Sequence, residues 1–438
     1  MLVKSIPYPP VNSGFKIAVI GLGYVGFPLA RLFSTKYPTV GFDINTQRVA
    51  ELNSGYDCCR EFSAETLRNT FENGFLKCTS DYEEIRDCNF YVVAVPTPID
   101  GDRHPDMSIL YNASETVGRV ISLGDIVVYE SSVYPGATEE ECIPIIEKTS
   151  GLKYGTQFYA GYSPERINPA DKVHTVEKIV KVTSGCNPEV AEIVDSIYRS
   201  VLENGTFKAT SIKVAEACKV IENAQRDLNI AFFNQVAKIF NAIGIRTGDV
   251  IDAASSKWNF INLRPGLVGG HCISIDPYYL IDKAVKAGVD PSLLVSAREI
   301  NESMGEYVYD RTISIMQQRG LPVKDADVLI LGVTFKENCP DVRNTKVVDI
   351  YNAFKKQTSH IDVIDAWANA KEVKQDYNIV VDNTPLSELQ GKYDVVIMAV
   401  AHSEFLNYNL RSLLKNPEKG VVYDVKGMLA PDIADASL

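Results

Sequence analysis

A cysteine in a glycine-rich segment is the residue of this chain that most directly suggests covalent chemistry. Cys272 lies in the stretch GLVGGHCISIDPYYL, after two glycines and four residues before an Asp-Pro pair. A thiolate there could add to an aldehyde as a thiohemiacetal, which after loss of a hydride becomes a thioester that water cleaves. Gly269 would let the backbone approach a ligand, and Asp276 could position or deprotonate the hydrolytic water. Free cysteines are also often buried and inert, and Asp-Pro is typical of a helix start, so this segment alone leaves both interpretations open.

A second candidate site lies near the start of the chain, in the sequence GLGYVG. A short apolar segment that predicts a buried strand precedes it, and the helical pattern FPLARLF follows it. In that context Gly21 allows a tight turn, Gly23 lets the backbone approach a pyrophosphate and Gly26 lets the helix pack on the strand. The next predicted strand ends in Asp43, which suits the ribose hydroxyls of NAD, whereas Arg48 nearby could accept the extra phosphate of NADP. We predict NAD as the preferred dinucleotide.

Composition restricts the class of protein. A chain of 438 residues predicts two or three domains, and 45% hydrophobic with 23% charged residues is typical of a globular protein. The net charge of -12 argues against nucleic acid or an anionic membrane as the main partner. The start MLVKSIPYPPVNSGF lacks the apolar core of a signal peptide, and no apolar run is long enough for a membrane span, so we expect a cytoplasmic protein. Nine scattered cysteines without a C-x-x-C pair, and histidines without ligand spacing, predict neither a disulfide framework nor a metal site.

The order of predicted elements favours two α/β domains on either side of a helical segment. Strands are predicted at 16–20, 39–42, 90–95, 126–130, 158–162 and 179–183, and again at 327–331, near 361–365, 393–400 and 421–425. Between them, from about Ser211 to Ile243, runs a long helical pattern without proline. Lys219 and Asn223 lie one turn apart on one face of that helix. The helix is apolar on several sides, which suggests a buried connector between domains or subunits.

The loop that follows the first strand of the second α/β segment carries several charged residues. Lys336, Asp341 and Arg343 lie in GVTFKENCPDVRNT, at the predicted ligand edge of a parallel sheet. Such residues can hold a second phosphate-bearing molecule, although taken alone a basic loop is as often a surface turn. Two nucleotide-type folds with a reactive cysteine between them fit a cofactor on one side and a nucleotide-linked substrate on the other.

In combination these motifs resemble the UDP-glucose/GDP-mannose dehydrogenase family along nearly the whole chain. The matching motifs, in family order, are GLGYVG, VPTP (95–98), SPERI (163–167), AEACKVIEN (215–223), GGHC and FKENCPDVRNT. The resemblance implies two Rossmann-like doubly wound parallel-sheet domains joined by a long central helix or helical dimerisation domain. It implies an NAD-binding domain at 1–205, a central domain with the catalytic cysteine at 206–318 and a UDP-sugar-binding domain at 319–438. It further implies NAD-dependent four-electron oxidation of a sugar C6 alcohol to a uronic acid by a homodimer or higher homo-oligomer.

The resemblance also implies roles for the matching residues. Cys272 would be the nucleophile, Lys219 and Asn223 would stabilise the developing oxyanion, Asp276 would act through water, and Glu165 would assist acid/base steps or thioester hydrolysis. The positions that match cofactor-binding residues are Gly21, Gly23, Tyr24, Val25, Gly26, Asp43, Arg48, Thr97, Ser132 and Arg343. The positions that match substrate-binding residues are Glu165, Lys219, Asn223, Arg264, Gly269, Lys336 and Lys426. Lys426 stands where many members have arginine, and Ser132 stands where threonine is frequent.

Departures from the family pattern narrow the expected substrate. UDP-glucose and GDP-mannose enzymes typically carry GGSCxxKD, whereas this chain has His271 before the cysteine and IDPYY (275–279) after it. The form RPGLVGGHC, which begins at Arg264, resembles the UDP-N-acetylhexosamine 6-dehydrogenases of capsule and O-antigen synthesis that act on UDP-GlcNAc or UDP-GalNAc. UDP-glucose and UDP-ManNAc are the alternative substrates. A two-electron hydroxyacid dehydrogenase would not need the cysteine, and a catalytically silent nucleotide-sugar binding protein would be expected to have lost it.

Overall fold

The computed structural model describes residues 14–59, 62–72, 74–167 and 175–438. The chain divides into two compact units, Met1–Glu222 with Tyr278–Gly288, and Asn223–Pro277 with Val289–Leu438. Within the described ranges, the helices are all too short or too polar to cross a membrane. The three-domain division expected from the sequence stays a prediction.

The first unit is built on a six-stranded parallel sheet with the strand order β3-β2-β1-β4-β5-β6. Its strands are β1 (Ile17–Ile20), β2 (Thr39–Phe42), β3 (Leu76–Thr79), β4 (Phe90–Val93), β5 (Ile126–Tyr129) and β6 (Tyr159–Tyr162). In register, Ile17 of β1 lies opposite Thr39 on one side and Phe90 on the other. Strands β1, β2, β4, β5 and β6 are buried at every residue, as expected for a parallel sheet covered on both faces. The strand order reverses between β1 and β4, which places a ligand crevice at their carboxyl ends.

Helices pack around this sheet. A separate two-stranded sheet, whose strands do not pair with the main sheet, completes the unit. The helices are α1 (Gly26–Phe33), α2 (Thr46–Asn53), α3 (Ala64–Glu72), α4 (Ser108–Val120), α5 (Ile143–Ser150) and α6 (Pro188–Val201). The strand predicted at 179–183 does not extend the main sheet, because β7 (Lys181–Thr183) instead pairs in parallel with β8 (Thr206–Lys208). The edge strand β6 forms an isolated antiparallel bridge between Gly161 and Gly185, which follows β7. A Cβ on Gly161 would lie 2.6 Å from the Ser184 carbonyl oxygen, so the two backbones cross closely there.

The second unit contains a five-stranded parallel sheet with the order β10-β9-β11-β12-β13. Its strands are β9 (Val328–Leu331), β10 (Ile361–Ile364), β11 (Val395–Met398), β12 (Val421–Asp424) and β13 (Ala436–Ser437). Alternate residues of β9 enter two apolar layers, with Val328 and Ile330 on one face and Leu329 and Leu331 on the other. The helices of this unit are α8 (Thr247–Ala254), α10 (Ser292–Glu302), α11 (Met304–Gln318), α12 (Val347–Lys355), α13 (Ala370–Tyr377) and α14 (Ser403–Leu406).

Two helices run across the boundary between the units. The long helix α7 (Ile212–Ala242) has nearly the bounds that the sequence predicts, and α9 (Asp276–Lys286) begins at the predicted Asp-Pro pair. The expected fold class, two doubly wound parallel sheets with a long helix between them in sequence, is therefore confirmed.

Candidate active site

The loop from β1 to α1 has the geometry that a dinucleotide-binding turn requires. Gly21 has a φ of +93°, and a Cβ there would lie 2.6 Å from the Ala94 carbonyl oxygen. A Cβ on Gly26 would lie 1.8 Å from the Gly21 carbonyl oxygen, so the first turn of α1 can pack on the loop only with glycine at this position. A Cβ on Gly23 would meet no protein atom within 4 Å. Since Val25 provides no side-chain cap at the start of α1, the residues present fit a pyrophosphate at this helix N-terminus.

Asp43, directly after β2, is tied to the same loop. One carboxylate oxygen accepts from the Leu22 amide at 2.7 Å, and the other accepts from the Asn45 amide at 2.8 Å. Each oxygen has a second lone pair, so the half-buried carboxylate can still accept the hydroxyls of a ribose. The fit is that of NAD.

Arg48 is buried rather than extended toward a ligand. Its Nε donates to the Leu22 carbonyl at 2.9 Å, and its guanidinium pairs with Asp57 at 2.8 Å. The bond to Leu22 stabilises the glycine loop, and the pair with Asp57 neutralises the guanidinium charge. The sequence left an NADP phosphate as an alternative partner for this arginine, and its internal pairing disfavours that role.

The loops after β4 and β5 meet at the same sheet edge and carry Thr97 and Ser132. The Ser131 hydroxyl joins them, because it accepts from the Val95 amide at 3.1 Å and donates to the Val95 carbonyl at 2.6 Å. Thr97 is buried and Ser132 half-buried. Their contact with the cofactor stays a prediction.

Glu165, in the loop after β6, belongs to a buried charge cluster that sequence reasoning missed. One of its oxygens accepts from the amides of Arg166 and Ile167, each at 2.6 Å. The other lies 3.3 Å from the ammonium of Lys181 in β7, which also pairs with Glu130 at 2.5 Å. Burial raises the pKa of Glu130 to about 7, against the opposing effect of Lys181. The sole sequence signal was a lysine inside an otherwise apolar strand.

The cysteine loop packs on the loop that follows β9. A Cβ on Gly269 would lie 2.6 Å from the Asn344 carbonyl oxygen, and a Cβ on Gly270 would lie 2.9 Å from the Phe335 ring. Gly270 also has a φ of +83° and donates its amide to the Arg343 carbonyl at 3.2 Å. The protein itself therefore requires both glycines, and the close approach of Gly269 to a ligand stays a prediction.

Cys272, Asp276 and Asn223 come together in the second unit. Cys272 is half-buried. Its backbone carbonyl oxygen accepts a hydrogen bond from the Asp276 amide at 2.8 Å, where α9 begins. The Asp276 side chain is 2% exposed, and its carboxylate accepts from the Asn223 amide nitrogen at 2.6 Å. Lys219, one turn before Asn223 in α7, is also buried. Lys219 and Glu165 are assigned to the first unit.

His271 lies near the ion pair of Arg343 and Asp341, whose charges both affect its pKa. Arg343 pairs with Asp341 through three contacts, from Nε at 2.9 and 3.2 Å and from a terminal nitrogen at 2.5 Å. Burial, with a smaller contribution from the Arg343 charge, lowers the pKa of His271 to about 4. The imidazole is therefore neutral at physiological pH, which is compatible with a packing role.

A buried amide network fixes the start of the cysteine loop and was also missed from the sequence. Asn234 of α7, fully buried, donates to the Gly266 carbonyl at 3.0 Å and accepts from the Gly266 amide at 2.8 Å. Its amide nitrogen also lies 2.8 Å from the Asn301 oxygen, and Asn301 donates to Asp227, which pairs with buried Arg298. Nothing in the local pattern around Asn234 distinguished it from a surface residue.

Of the residues predicted to bind substrate, Arg264 and Lys426 share one cavity. Arg246 also lines it. Arg264 pairs with Asp252. Lys336 lies elsewhere along the chain, with its ammonium 5.6 Å from the centre of the Phe335 ring. In the part of the chain that the structure describes, no cluster of three or more His, Cys, Asp or Glu side chains could hold a metal ion.

The sheet order, the glycine loop and Asp43 define a dinucleotide-binding protein of the Rossmann type. Three models of the UDP-glucose/GDP-mannose dehydrogenase family match the chain, the NAD binding domain at 15–202, the central domain at 213–303 and the UDP binding domain at 329–431. The chain belongs to this family. It is an oxidoreductase with NAD as its cofactor, as the sequence predicted.

Named relatives cover nearly the whole chain. It is 51% identical over 424 residues to a UDP-N-acetyl-D-glucosamine 6-dehydrogenase of Pseudomonas aeruginosa, covering 97% of this chain and 99% of that protein. It is 49% identical over 425 residues to one of Salmonella typhi, covering 97% and 98%. Among solved structures, a UDP-D-ManNAc dehydrogenase from Pyrococcus horikoshii superposes with a TM-score of 0.87 at 28% identity, over 95% of this chain and 96% of that one.

Proposed function

We propose that this protein oxidises the C6 alcohol of a UDP-N-acetylhexosamine, UDP-GlcNAc or UDP-GalNAc, to the uronic acid in two steps that consume two NAD. The product would serve as a precursor of capsule or O-antigen polysaccharide. The observation that carries the proposal is Cys272, held in a glycine-bounded loop whose next helix opens with the buried Asp276. The identity to UDP-N-acetyl-D-glucosamine 6-dehydrogenases supports the choice of sugar.

Covalent catalysis by the cysteine makes the second oxidation possible. Two NAD molecules, bound one after the other at the glycine loop and Asp43, would each supply an acceptor for one hydride. The Cys272 thiolate adds to the C6 aldehyde, loss of the second hydride leaves a thioester, and water cleaves the C–S bond to give the uronate and regenerate the thiol. Lys219 and Asn223 would stabilise the oxyanions. An amide nitrogen carries two N–H groups, so Asn223 can orient Asp276 and still donate to an oxyanion.

Two carboxylates are available for the hydrolytic water. Asp276 is oriented by Asn223, and Glu165 is oriented by two backbone amides and Lys181. We assign Asp276 to positioning the water and Glu165 to accepting its proton. Lys336, Arg264 and Lys426 would supply positive charge for the UDP group.

A second candidate substrate is UDP-ManNAc. The similarity to the Pyrococcus structure supports it, but the 28% identity to that protein is much lower than the 51% identity to the Pseudomonas UDP-N-acetyl-D-glucosamine 6-dehydrogenase. Incubation of the purified protein with NAD and a panel of UDP-sugars tests the choice. We expect two NADH per UDP-GlcNAc or UDP-GalNAc and a uronic acid product. One NADH per sugar, or preference for UDP-glucose, would refute it.

We also propose that the protein forms a homodimer through α7. Exposed apolar side chains recur along one side of the helix at Val214, Ile221, Phe232, Ile239 and, just past its end, Ile243. A stripe of this length is typical of a protein interface. Light scattering of Phe232→Glu should show a monomer where the wild type is a dimer, and a monomeric wild type would contradict the assignment.

A further inference from the structure

The cluster behind Glu165 centres on a lysine with no exposure to solvent. Lys181 is 0% exposed, and its ammonium contacts Glu130 at 2.5 Å, the Pro164 carbonyl at 3.0 Å and Glu165 at 3.3 Å. Lysine is almost never fully buried unless it is paired, because its desolvation is costly. These three oxygens satisfy its three N–H donors.

Among the residues that the structure describes, the charged and titratable groups that contact this ammonium are Glu130, Glu165 and Tyr198. The Tyr198 hydroxyl donates to Glu130, and its ring lies 5.7 Å from the Lys181 ammonium. One cation is thus shared by two carboxylates in a buried space. Glu130, fully buried, is already held by Tyr198 and Lys181, whereas Glu165 is 8% exposed and reaches the sheet edge where the other site residues of this unit lie.

We propose that Lys181 is a positioning residue that fixes the orientation of the Glu165 carboxylate, so that this carboxylate can accept a proton from the hydrolytic water. This inference rests on the proposed function. In the step concerned, the water oxygen bonds to the thioester carbonyl carbon, a water proton passes to Glu165, the C–S bond breaks, and the electron pair leaves with the Cys272 sulfur. The products are the uronic acid and the thiolate, with one proton on Glu165.

A lysine that only neutralised Glu130 would behave differently. Replacing both members of that pair with neutral residues of similar shape would then restore a working protein, since the buried charge and its counter-charge leave together. If Lys181 serves Glu165, the same double replacement restores the fold but not the hydrolysis step. The two roles therefore separate in one double variant.

The test compares Lys181→Met, the double variant Lys181→Met/Glu130→Gln, and Glu165→Gln as the reference for a lost carboxylate. Thr183→Val is the matched control, because Thr183 lies two residues on in β7 and bonds buried Asp195 at 2.8 Å without contact to Glu165. For the double variant we expect near wild-type melting, kcat lower by about 10- to 100-fold, and KM values for NAD and UDP-GlcNAc changed by less than about threefold.

Single-turnover measurement identifies the step. The double variant should release a burst of NADH followed by slow turnover, and intact-mass analysis should find an acyl adduct that Cys272→Ser removes. A double variant with wild-type kcat would overturn the role for Lys181, as would equal effects in the Thr183→Val control. A wild-type enzyme that forms no NADH with any UDP-sugar, or a Glu165→Gln variant without an adduct, would instead refute the proposed function.

Discussion

Replacement of Gly23 by alanine separates cofactor binding from folding. The methyl group would meet no protein atom within 4 Å, and the residue does not adopt a positive φ, so the native backbone accommodates alanine. Alanine at such a position changes stability by roughly +0.4 to +1 kcal/mol, because the unfolded chain loses freedom. The pyrophosphate of NAD, however, is expected to approach this backbone.

The expected loss of NAD affinity follows from the donors that the methyl would displace. Loss of one charge-assisted hydrogen bond costs about 1.5–3 kcal/mol, which corresponds to roughly 10- to 150-fold in Kd. Ligand linkage makes this visible in denaturation. At an NAD concentration 100 times the wild-type Kd, the wild type should gain about 2.7 kcal/mol, whereas a variant weakened about 100-fold should gain about 0.4 kcal/mol.

Chemical denaturation with and without NAD measures both effects. Gly26→Ala is the contrasting variant, because its Cβ would lie 1.8 Å from the Gly21 carbonyl oxygen and must displace the backbone. Without NAD, the free energy of unfolding of that variant should be lower than that of the wild type by about 1–3 kcal/mol. If Gly23→Ala gains as much from NAD as the wild type does, the pyrophosphate does not lie on this loop and the cofactor assignments there are wrong.

Three further outcomes are expected. Cys272→Ser should lower turnover by several orders of magnitude while NAD still stabilises the protein, and near wild-type activity would exclude covalent catalysis. Lys219→Ala should lower kcat by roughly 10²–10³ with a smaller change in KM, whereas Lys213→Ala on the same helix, half-exposed and paired with Glu140, should leave kinetics intact. Because the pKa of His271 is lowered to about 4 in the folded protein, the unfolded chain binds the extra proton below about pH 6.5, and stability should fall on acidification. Between pH 6.5 and 4.5 the wild type should lose about 1–2 kcal/mol more than His271→Asn, and equal losses would contradict a buried neutral imidazole.

Local sequence determined the fold class and the cofactor. Uniformly apolar strands, a glycine loop between strand and helix, and an aspartate after the second strand are short-range patterns, and each is set by backbone torsions and burial within a few residues. The co-occurrence of these motifs with the GGHC segment identified the family and the cofactor, and the family models agree.

Tertiary structure decided what the individual polar residues do. The Lys181–Glu130 pair joins residues 51 positions apart, and Asn234 holds a backbone 32 positions away, so no local pattern could reveal them. The segment at 179–183 has strand propensity, yet its β7 residues pair with β8 at 206–208 and not with the main sheet. Arg48 likewise faces Leu22 and Asp57 because the fold buries it. Residue type fixes which hydrogen bonds and charges a side chain can offer, but the packing of distant segments determines which partner it meets.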